Sequence, residues 1–352
     1  MPEICIVEQK CEKIARSLFL KKLYKQANYR NYNHYKVRKQ KKKELWNAVR
    51  LKNRKMHPKN DDEDDVIYTI IRFPSKLYLR DEILFEKINE AALCSAVNFN
   101  FSQVKNISVG SALYIKAYVD SHKTKQLIKI SCSPENLKMR EILQHMELKS
   151  YKIKITHKDI KCWIFKQWNK NCVENYGKVM NEEVLPKVLA NRGYSERFAD
   201  IASNLHELLY NCSEHAYEVD DLFTGYYFIA GEYESDKGKS NKFTFSVIDM
   251  GQGFRASLRK NSLFSEIKEK LNIESDTDLL KAAVDGKFNA NPDKNSGRGT
   301  GLPAVKQTVQ SINGILNISS GIGYYSYDGK EYLRERKNAT IGSIITVNLP
   351  IN

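Results

Sequence analysis

The chain has 352 residues, of which 41% are hydrophobic and 28% charged, an ordinary balance for a globular protein with two or three domains. No apolar run approaches the ~18 residues that a membrane-spanning helix requires, and the N-terminus lacks the basic and then apolar pattern of a secretory signal peptide. These features argue against membrane contact. Together with seven scattered cysteines, which fit reduced thiols, they predict a cytoplasmic location.

The net charge of +15 is concentrated at the start of the chain, because residues 1–60 carry 18 Lys/Arg against 4 Glu and so contribute +14. We predict a basic helical arm over residues 1–62, in which tyrosines alternate with lysines. Lysine neutralises phosphate and aromatic rings stack on bases, so contact with nucleic acid through residues 1–60 is one hypothesis. A solvated basic segment and a helix that binds an acidic partner are the alternatives.

Residues 66–155 are predicted to form a small α/β domain, because strand and helix patterns alternate along them. The predicted strands are 66–73, 96–101 and 126–130, and the predicted helices are 81–92, 111–121 and 135–146. The next segment, residues 156–195, carries mixed helical signals. It is interpreted as a connector whose Trp163 and Trp168 pack against a neighbouring domain.

The order of segments in this α/β domain resembles that of the STAS domain, the sulfate transporter and anti-sigma antagonist domain. The segments that carry the resemblance are Asn100-Phe101-Ser102, Ile107 to Leu113, Ser133 to Leu137 and Met146-Glu147-Leu148. The resemblance implies a domain that binds a protein partner. In partner-switching members a serine at the start of the helix after this strand is phosphorylated. Gly110 stands at that position here, between Ser108 and Ser111, which favours interaction without phosphorylation.

A helical pattern begins near residue 196, and Glu207, Asn211 and His215 follow one another along it at intervals of four. This spacing places the three side chains on one face of the helix. Asn211 carries the kind of oxygen that Mg²⁺ prefers, and Glu207 can deprotonate a water or hydroxyl that attacks a γ-phosphate. Taken alone, the pattern favours a polar face exposed to solvent.

Two predicted strands, at 225–233 and 242–249, form a hairpin that ends in Asp249-Met250-Gly251-Gln252-Gly253. A buried carboxylate at a strand end can accept a hydrogen bond from the exocyclic amine of adenine. The flanking glycines allow a flat base to lie against the backbone. The turn is therefore a candidate base pocket.

A third glycine-rich segment, Ser296 to Leu302, precedes a predicted helix and places glycine at 297, 299 and 301. The start of a helix presents N–H groups without intrahelical partners and the positive end of the helix dipole, both of which suit phosphate. Alone, the segment is equally consistent with a flexible surface loop.

Together, the patterns E-x3-N-x3-H, D-x-G-x-G and G-x-G-x-G-L resemble the GHKL superfamily of ATPases with the Bergerat nucleotide fold, which includes gyrase-type, chaperone, histidine-kinase and mismatch-repair members. The resemblance covers residues 196–352 and implies a two-layer α+β sandwich that binds ATP and Mg²⁺. It implies that Asn211 coordinates Mg²⁺, that Asp249 binds adenine, and that the glycine loop forms the phosphate side of a lid over residues 255–300. The other cofactor-binding residues that it implies are His215, Gly251, Gly253, Gly297, Arg298, Gly299, Thr300, Gly301, Leu302 and Ser343, the last of which stands where the family usually has Thr.

The first pattern is most similar to that of the anti-sigma serine kinases, E-x3-N-x3-H-A, which matches residues 207–216. We therefore predict a Mg-ATP-binding regulatory protein with ATPase or protein-serine-kinase activity, in which Glu207 is the catalytic base and the STAS-like domain is the internal partner or substrate. One alternative is a nucleotide-gated binding module with little catalysis. Another is a DNA-associated clamp that uses the basic arm. The sequence leaves the oligomeric state open.

Overall fold

A computed structural model describes residues 66–151, 164–169, 178, 182, 206–218, 221, 225–235, 238–259, 264–288 and 301–350. The predicted arm over 1–62 and the lid residues Gly297, Arg298, Gly299 and Thr300 lie outside these ranges. The chain divides into two units, 1–65 and 66–352, and all of the described residues belong to the second. Within them, no helix has both the length and the apolar character needed to cross a bilayer.

The first part of the described chain, residues 66–151, is a parallel α/β assembly. Its elements are β1 (Thr69–Arg72), β2 (Lys76–Leu77), α1 (Glu82–Ala92), β3 (Ala96–Asn100), β4 (Asn106–Ile107), α2 (Val109–His122), β5 (Leu127–Ser131) and α3 (Leu137–His145). Strands β1, β3 and β5 form one parallel sheet in the order β1-β3-β5, and β2 pairs with β4 in a second. The mixed α/β class and the six elements predicted here are confirmed, with ends that differ by up to three residues.

The second part is built on a five-stranded antiparallel sheet in the order β6-β7-β8-β10-β9. Its strands are β6 (Ile164–Asn169), β7 (Gly225–Ser235), β8 (Gly238–Asp249), β9 (Ile315–Tyr327) and β10 (Glu331–Pro350). The described helices of this part are α4 (206–215), α5 (Gly253–Arg259), α6 (Phe264–Lys270), α7 (Asp276–Val284) and α8 (Gly301–Ser311). Strand β6 comes from the segment predicted as a connector, and its Trp168 is buried in the core of this part.

Side chains of β8 and β10 alternate between two faces of this sheet. One, which we call the helix face, carries Phe245 and Val247 and packs against residues of α4, α7 and α8. The other, which we call the back face, carries Ile248 and Ile344 and shares a hydrophobic core with α1 and α2. Because both faces are covered, every residue from 244 to 249 is buried. Antiparallel sheets commonly have one face exposed to solvent, and this one does not along these residues.

Helix α2 is the element that joins the two parts. Eleven of its fourteen residues are buried, so it is covered around most of its circumference rather than along one stripe. Its first turn approaches the back face closely, since a Cβ on Gly110 would lie 3.1 Å from Ser246 Oγ and 2.3 Å from Leu79 Cδ1. A side chain larger than hydrogen at position 110 would require the Leu79 side chain to move.

The hairpin of β9 and β10 bends sharply toward the back face. The hydroxyls of Tyr324 and Ser326 donate to Asn317 Oδ1 at 2.8 and 2.9 Å, although a straight strand would separate residues seven to nine positions apart by about 20–30 Å. The register of the strand pair shifts between Glu335 and Ser343, where the bend occurs. Beyond the bend, the hairpin thus folds over the back face.

The bent hairpin is fastened to α1. Glu82 Oε1 accepts hydrogen bonds from the backbone N–H groups of Lys337 and Asn338 at 2.6 and 3.0 Å. The guanidinium of Arg336 lies 3.9 Å from the centre of the Phe85 ring and 4.7 Å from that of Tyr324. These contacts hold the first part of the chain and the second together through α1, next to Tyr114 of α2.

A buried ion pair lies where α2 meets the sheet. Lys116 Nζ is 3.0 Å from Asp120 Oδ2, and both side chains are 6% exposed. The hydroxyl of Tyr227, on β7, donates to the same Oδ2 at 3.0 Å. Lys123 approaches Oδ1 at 3.3 Å from the solvent side, where it is 59% exposed. Asp120 therefore couples α2 to β7 through a charge that has no access to bulk water.

We predict that Asp120→Ala destabilises the protein by about 3–5 kcal/mol, because it leaves the Lys116 ammonium buried without its carboxylate. The double variant Lys116→Met/Asp120→Leu should recover most of that loss, since it removes both charges and fills the space. Lys123→Ala, which removes only the exposed partner, is the control and should cost about 0.5 kcal/mol or less. Urea unfolding measures all three, and equal losses in Asp120→Ala and Lys123→Ala would contradict the role of the buried pair.

Candidate functional site

The start of α8 meets the middle of α4 on the helix face. A Cβ on Gly301 would lie 3.0 Å from Asn211 Nδ2 and 3.2 Å from Glu207 Cβ. Both α4 side chains are partly buried, one turn apart on the same side of the helix. The structure thus brings the end of the glycine-rich segment against the carboxamide of Asn211 and the Cβ of Glu207, the two residues that the sequence singled out.

Asp249, the predicted base-binding residue, is the last residue of β8. It lies on the helix face and is 4% exposed. It lies directly opposite Ser343 of β10 in the antiparallel strand pair. Its Oδ1 accepts the backbone N–H of Gly251 at 2.9 Å, and Cys212 Sγ lies 3.8 Å from Oδ2. Cys212 directly follows Asn211, so α4 contacts Gly301 through one residue and Asp249 through the next.

Burial raises the pKa of Asp249 to about 6, although hydrogen bonds from Gly251, Ser343 and Cys212 oppose the rise. The carboxyl group is consequently an ionised but poorly hydrated acceptor at neutral pH. Burial also raises the pKa of the Cys212 thiol well above its ordinary value, and the charge of Asp249 adds to this effect. Cys212 is therefore a neutral donor to the carboxylate rather than a nucleophile.

The turn after Asp249 is held against the end of α4. Gln252 N–H donates to the Ala216 carbonyl at 2.9 Å, and Met250 N–H donates to the Tyr217 hydroxyl at 3.0 Å. A Cβ on Gly251 would lie 1.9 Å from the Ala216 carbonyl oxygen, so only glycine permits this approach. These bonds fix the orientation of the turn relative to α4.

Gly253 begins α5 in a left-handed conformation, with φ at +75°. A Cβ there would lie 2.8 Å from Ser320 Oγ, which accepts the N–H of Phe254 at 2.9 Å and donates to the Gly342 carbonyl at 3.2 Å. Ser320 thus ties the turn to β9 and β10. The glycine requirement at 253 follows from both φ and the lack of space.

Two predicted site residues have local structural roles. His215 is the last residue of α4 and is exposed, and its backbone carbonyl accepts hydrogen bonds from Gln252 Nε2 and Ser257 Oγ. Leu302 is buried in the helix-face core with its side chain among those of α4 and α8.

Three residues that hold the site were not singled out as functional by the sequence. They are Cys212, Tyr217 and Ser320. Tyr217 donates its hydroxyl to the Gly225 carbonyl while accepting from Met250, so it links α4, β7 and the turn. The position of Cys212 one residue after Asn211 was a usable signal; the contacts of Tyr217 and Ser320 depend on long-range pairing.

In the part of the chain that the structure describes, no group of three or more His, Cys, Asp or Glu residues is arranged to hold a metal ion. A cation at this site would have Asn211 as a protein ligand, with its other ligands supplied by a bound phosphate group or water. Comparison with models of protein families gives no match, and a search of curated proteins gives no significant match.

Asp249 gives a pH signature that can be measured. Because its pKa in the folded protein lies above the ordinary value of 3.8, the folded state binds more protons than the unfolded state between about pH 4 and 6. Stability should therefore fall by roughly 3 kcal/mol as the pH rises through this window. Asp249→Asn should remove that part of the slope in urea unfolding followed from pH 4 to 7.

The matched control is Asp328→Asn, which changes an exposed aspartate in the β9–β10 turn and should keep the wild-type slope. If Asp249→Asn and wild type lose stability in parallel over this pH range, the carboxyl group is not the buried, proton-binding group described above.

Proposed function

We propose that α4, the turn at 249–253 and the start of α8 form a Mg-ATP site of the GHKL kind, and that the chain is an ATP-dependent regulatory protein. The observation that carries this proposal is the convergence of three distant segments on one face of one sheet. Gly301 abuts Asn211 and Glu207, while Cys212 of the same helix contacts Asp249. Sequence spacing alone does not require that convergence.

Asp249 is suited to bind the exocyclic amine of adenine. Its carboxylate already accepts hydrogen bonds from Gly251, Ser343 and Cys212, and the thiol of Cys212, at 3.8 Å, is a weak donor that the amine can displace. Poor hydration strengthens such a bond relative to one in water. The close contacts at Gly251 and Gly253 hold the turn against Ala216 and Ser320, so Asp249 is fixed in place before a ligand binds.

Asn211 and Glu207 are suited to the phosphate end. In the proposal the Asn211 carboxamide oxygen contributes to a Mg²⁺ shell that is otherwise made of phosphate oxygens and water. Glu207, one turn earlier, orients and deprotonates the hydroxyl or water that attacks the γ-phosphate. The first N–H groups of α8, next to both side chains, add donors and the positive end of a helix dipole.

The position of α2 bears on the substrate. Its first turn lies on the back face of the sheet, whereas Glu207 and Asn211 lie on the helix face, and Ser111 is fully buried. This arrangement supports the STAS-like part as an internal partner and not as a substrate phosphorylated by its own chain at that turn. Phosphoryl transfer would then go to water or to a serine on a separate protein.

A nucleotide-gated binding module is the second candidate. It is favoured by the fastening of residues 66–151 to the sheet through Asp120 and Arg336, because a shift of the sheet on nucleotide binding would be passed to that part. Contact of the basic arm with nucleic acid stays a prediction on residues outside the described ranges.

Calorimetric titration with Mg-ATP tests the site. We expect Asn211→Ala and Asp249→Asn each to weaken ATP binding by about tenfold or more, since each removes a hydrogen bond or metal contact to a charged or desolvated group. Asn98→Ala, on β3 of the parallel sheet, is the control and should bind as wild type does. Unchanged affinity in both site variants would refute the site.

Turnover of γ-labelled ATP separates the two candidate functions. If the protein is an ATPase or kinase, Glu207→Gln should bind ATP within about threefold of wild type but lose turnover by about 100-fold, because only the base is removed. Equal and negligible turnover in wild type and Glu207→Gln, with ATP binding intact, would favour the gated module.

A further inference from the structure

A cavity of about 350 Å³ lies on the back face, away from the candidate nucleotide site. Its floor is the sheet, one wall is the bent β9–β10 hairpin, and the opposite wall is the first turn of α2 with residues 78–80. The floor carries polar side chains beside the apolar Ile315 and Ile344. The polar side chains that line it on the sheet and the hairpin include those of Thr244, Asn317, Ser319, Tyr324, Ser326 and Asn348.

Two carboxamides in the floor are oriented with their carbonyl oxygens occupied. Asn317 Oδ1 accepts from the hydroxyls of Tyr324 and Ser326 at 2.8 and 2.9 Å. Asn348 Oδ1 accepts from Thr244 Oγ1 at 2.7 Å. Because the oxygens are engaged, the NH₂ group of each carboxamide is left as the hydrogen-bond donor.

Ser319 adds a hydroxyl to the floor. It is 4% exposed and lines the cavity. On the strand pair it lies opposite Ile344, on the same face as Asn317. Its hydroxyl can therefore bond with an occupant of the cavity.

Positive charge stands behind one wall. Arg336 is 4% exposed, lies between the rings of Phe85 and Tyr324, and forms no ion pair with a carboxylate in the described ranges. Its Nη2 donates to the Leu79 carbonyl at 2.9 Å, whereas Nε and Nη1 have no hydrogen-bond partner. Burial lowers the pKa of Arg336 to about 10, which still leaves it charged at neutral pH.

The rim adds to this field. Arg80 lines the cavity, and so do Val109 and Gly110, the first two residues of α2, whose N–H groups have no partner within the helix. Asp328 is the one carboxylate that lines the cavity as described, and it is exposed in the hairpin turn. Donors and positive charge therefore outweigh acceptors.

We propose that this cavity binds the phosphate group of a small molecule, held by the amides of Asn317 and Asn348 and the hydroxyl of Ser319. A phosphate group offers several acceptor oxygens to these separate donors, and its charge compensates Arg336. The cavity volume exceeds that of the free ion, so a phosphomonoester also fits.

Calorimetric titration of the full chain with inorganic phosphate and, separately, with ribose 5-phosphate tests the proposal. Asn317→Asp is the sharpest variant, because one carboxylate oxygen can still accept from Tyr324 and Ser326 while the other replaces the NH₂ donor with a negative charge. We expect it to weaken binding of both probes by at least about tenfold. Ser319→Ala should weaken binding severalfold without a change of charge.

Three controls make the outcome specific. Asn98→Asp and Ser131→Ala introduce the same changes on β3 and β5 of the parallel sheet and should bind both probes as wild type does. Asp249→Asn, in the candidate nucleotide site, should also leave phosphate binding unchanged. Tighter binding of ribose 5-phosphate would identify a monoester as the ligand, and tighter binding of inorganic phosphate would identify the free ion; both orders support the site. Absence of binding at millimolar probe, or equal binding in wild type, Asn317→Asp and Ser319→Ala, would overturn it.

Discussion

The pairing of β8 with β10 is the constraint on which the rest of the structure depends. It matches residues 242–249 with 343–350 in antiparallel register, and this places Asp249 beside Ser343 at the same end of the sheet. Because side chains alternate along both strands, the same register separates the helix face from the back face. A slip by one residue would exchange the two faces, burying Thr244 and Ser246 among the helices and moving Asp249 away from Cys212.

The two faces of the sheet carry different kinds of contact. The residues that the proposal assigns to Mg-ATP lie on the helix face. Helix α4 contacts Gly301 through Asn211 and Asp249 through the next residue, Cys212. The back face is covered by α2 and by the bent hairpin, with buried polar contacts at Asp120 and Arg336. In our two proposals, a nucleotide binds on one face of the sheet and a phosphate-bearing molecule binds on the other face of the same sheet.

Much of this arrangement follows from local sequence signals, and the remainder depends on contacts that no local pattern encodes. The periodic segments predicted α1, α2 and strands β1, β3 and β5 well, and the β7–β8 hairpin and α8 also lie where their patterns place them, whereas the two-residue strands β2 and β4 were not predicted. Strand β6 was missed because its partner β7 is some 60 residues away in the chain and its own pattern is short. The bend of β9 and the contacts of Ser320 arise from register shifts that sequence periodicity does not report. The burial of α2 around most of its circumference, which indicates an element packed on two sides, was not predicted.

Hydrogen exchange of the full chain with and without saturating Mg-ATP tests the central proposal most directly, because it locates the nucleotide without a variant. The proposal predicts slower exchange in α4, in the turn at 249–254 and at the start of α8, where the three segments converge on the helix face. Unchanged exchange in all three segments, or slower exchange confined to residues 66–151, would contradict it.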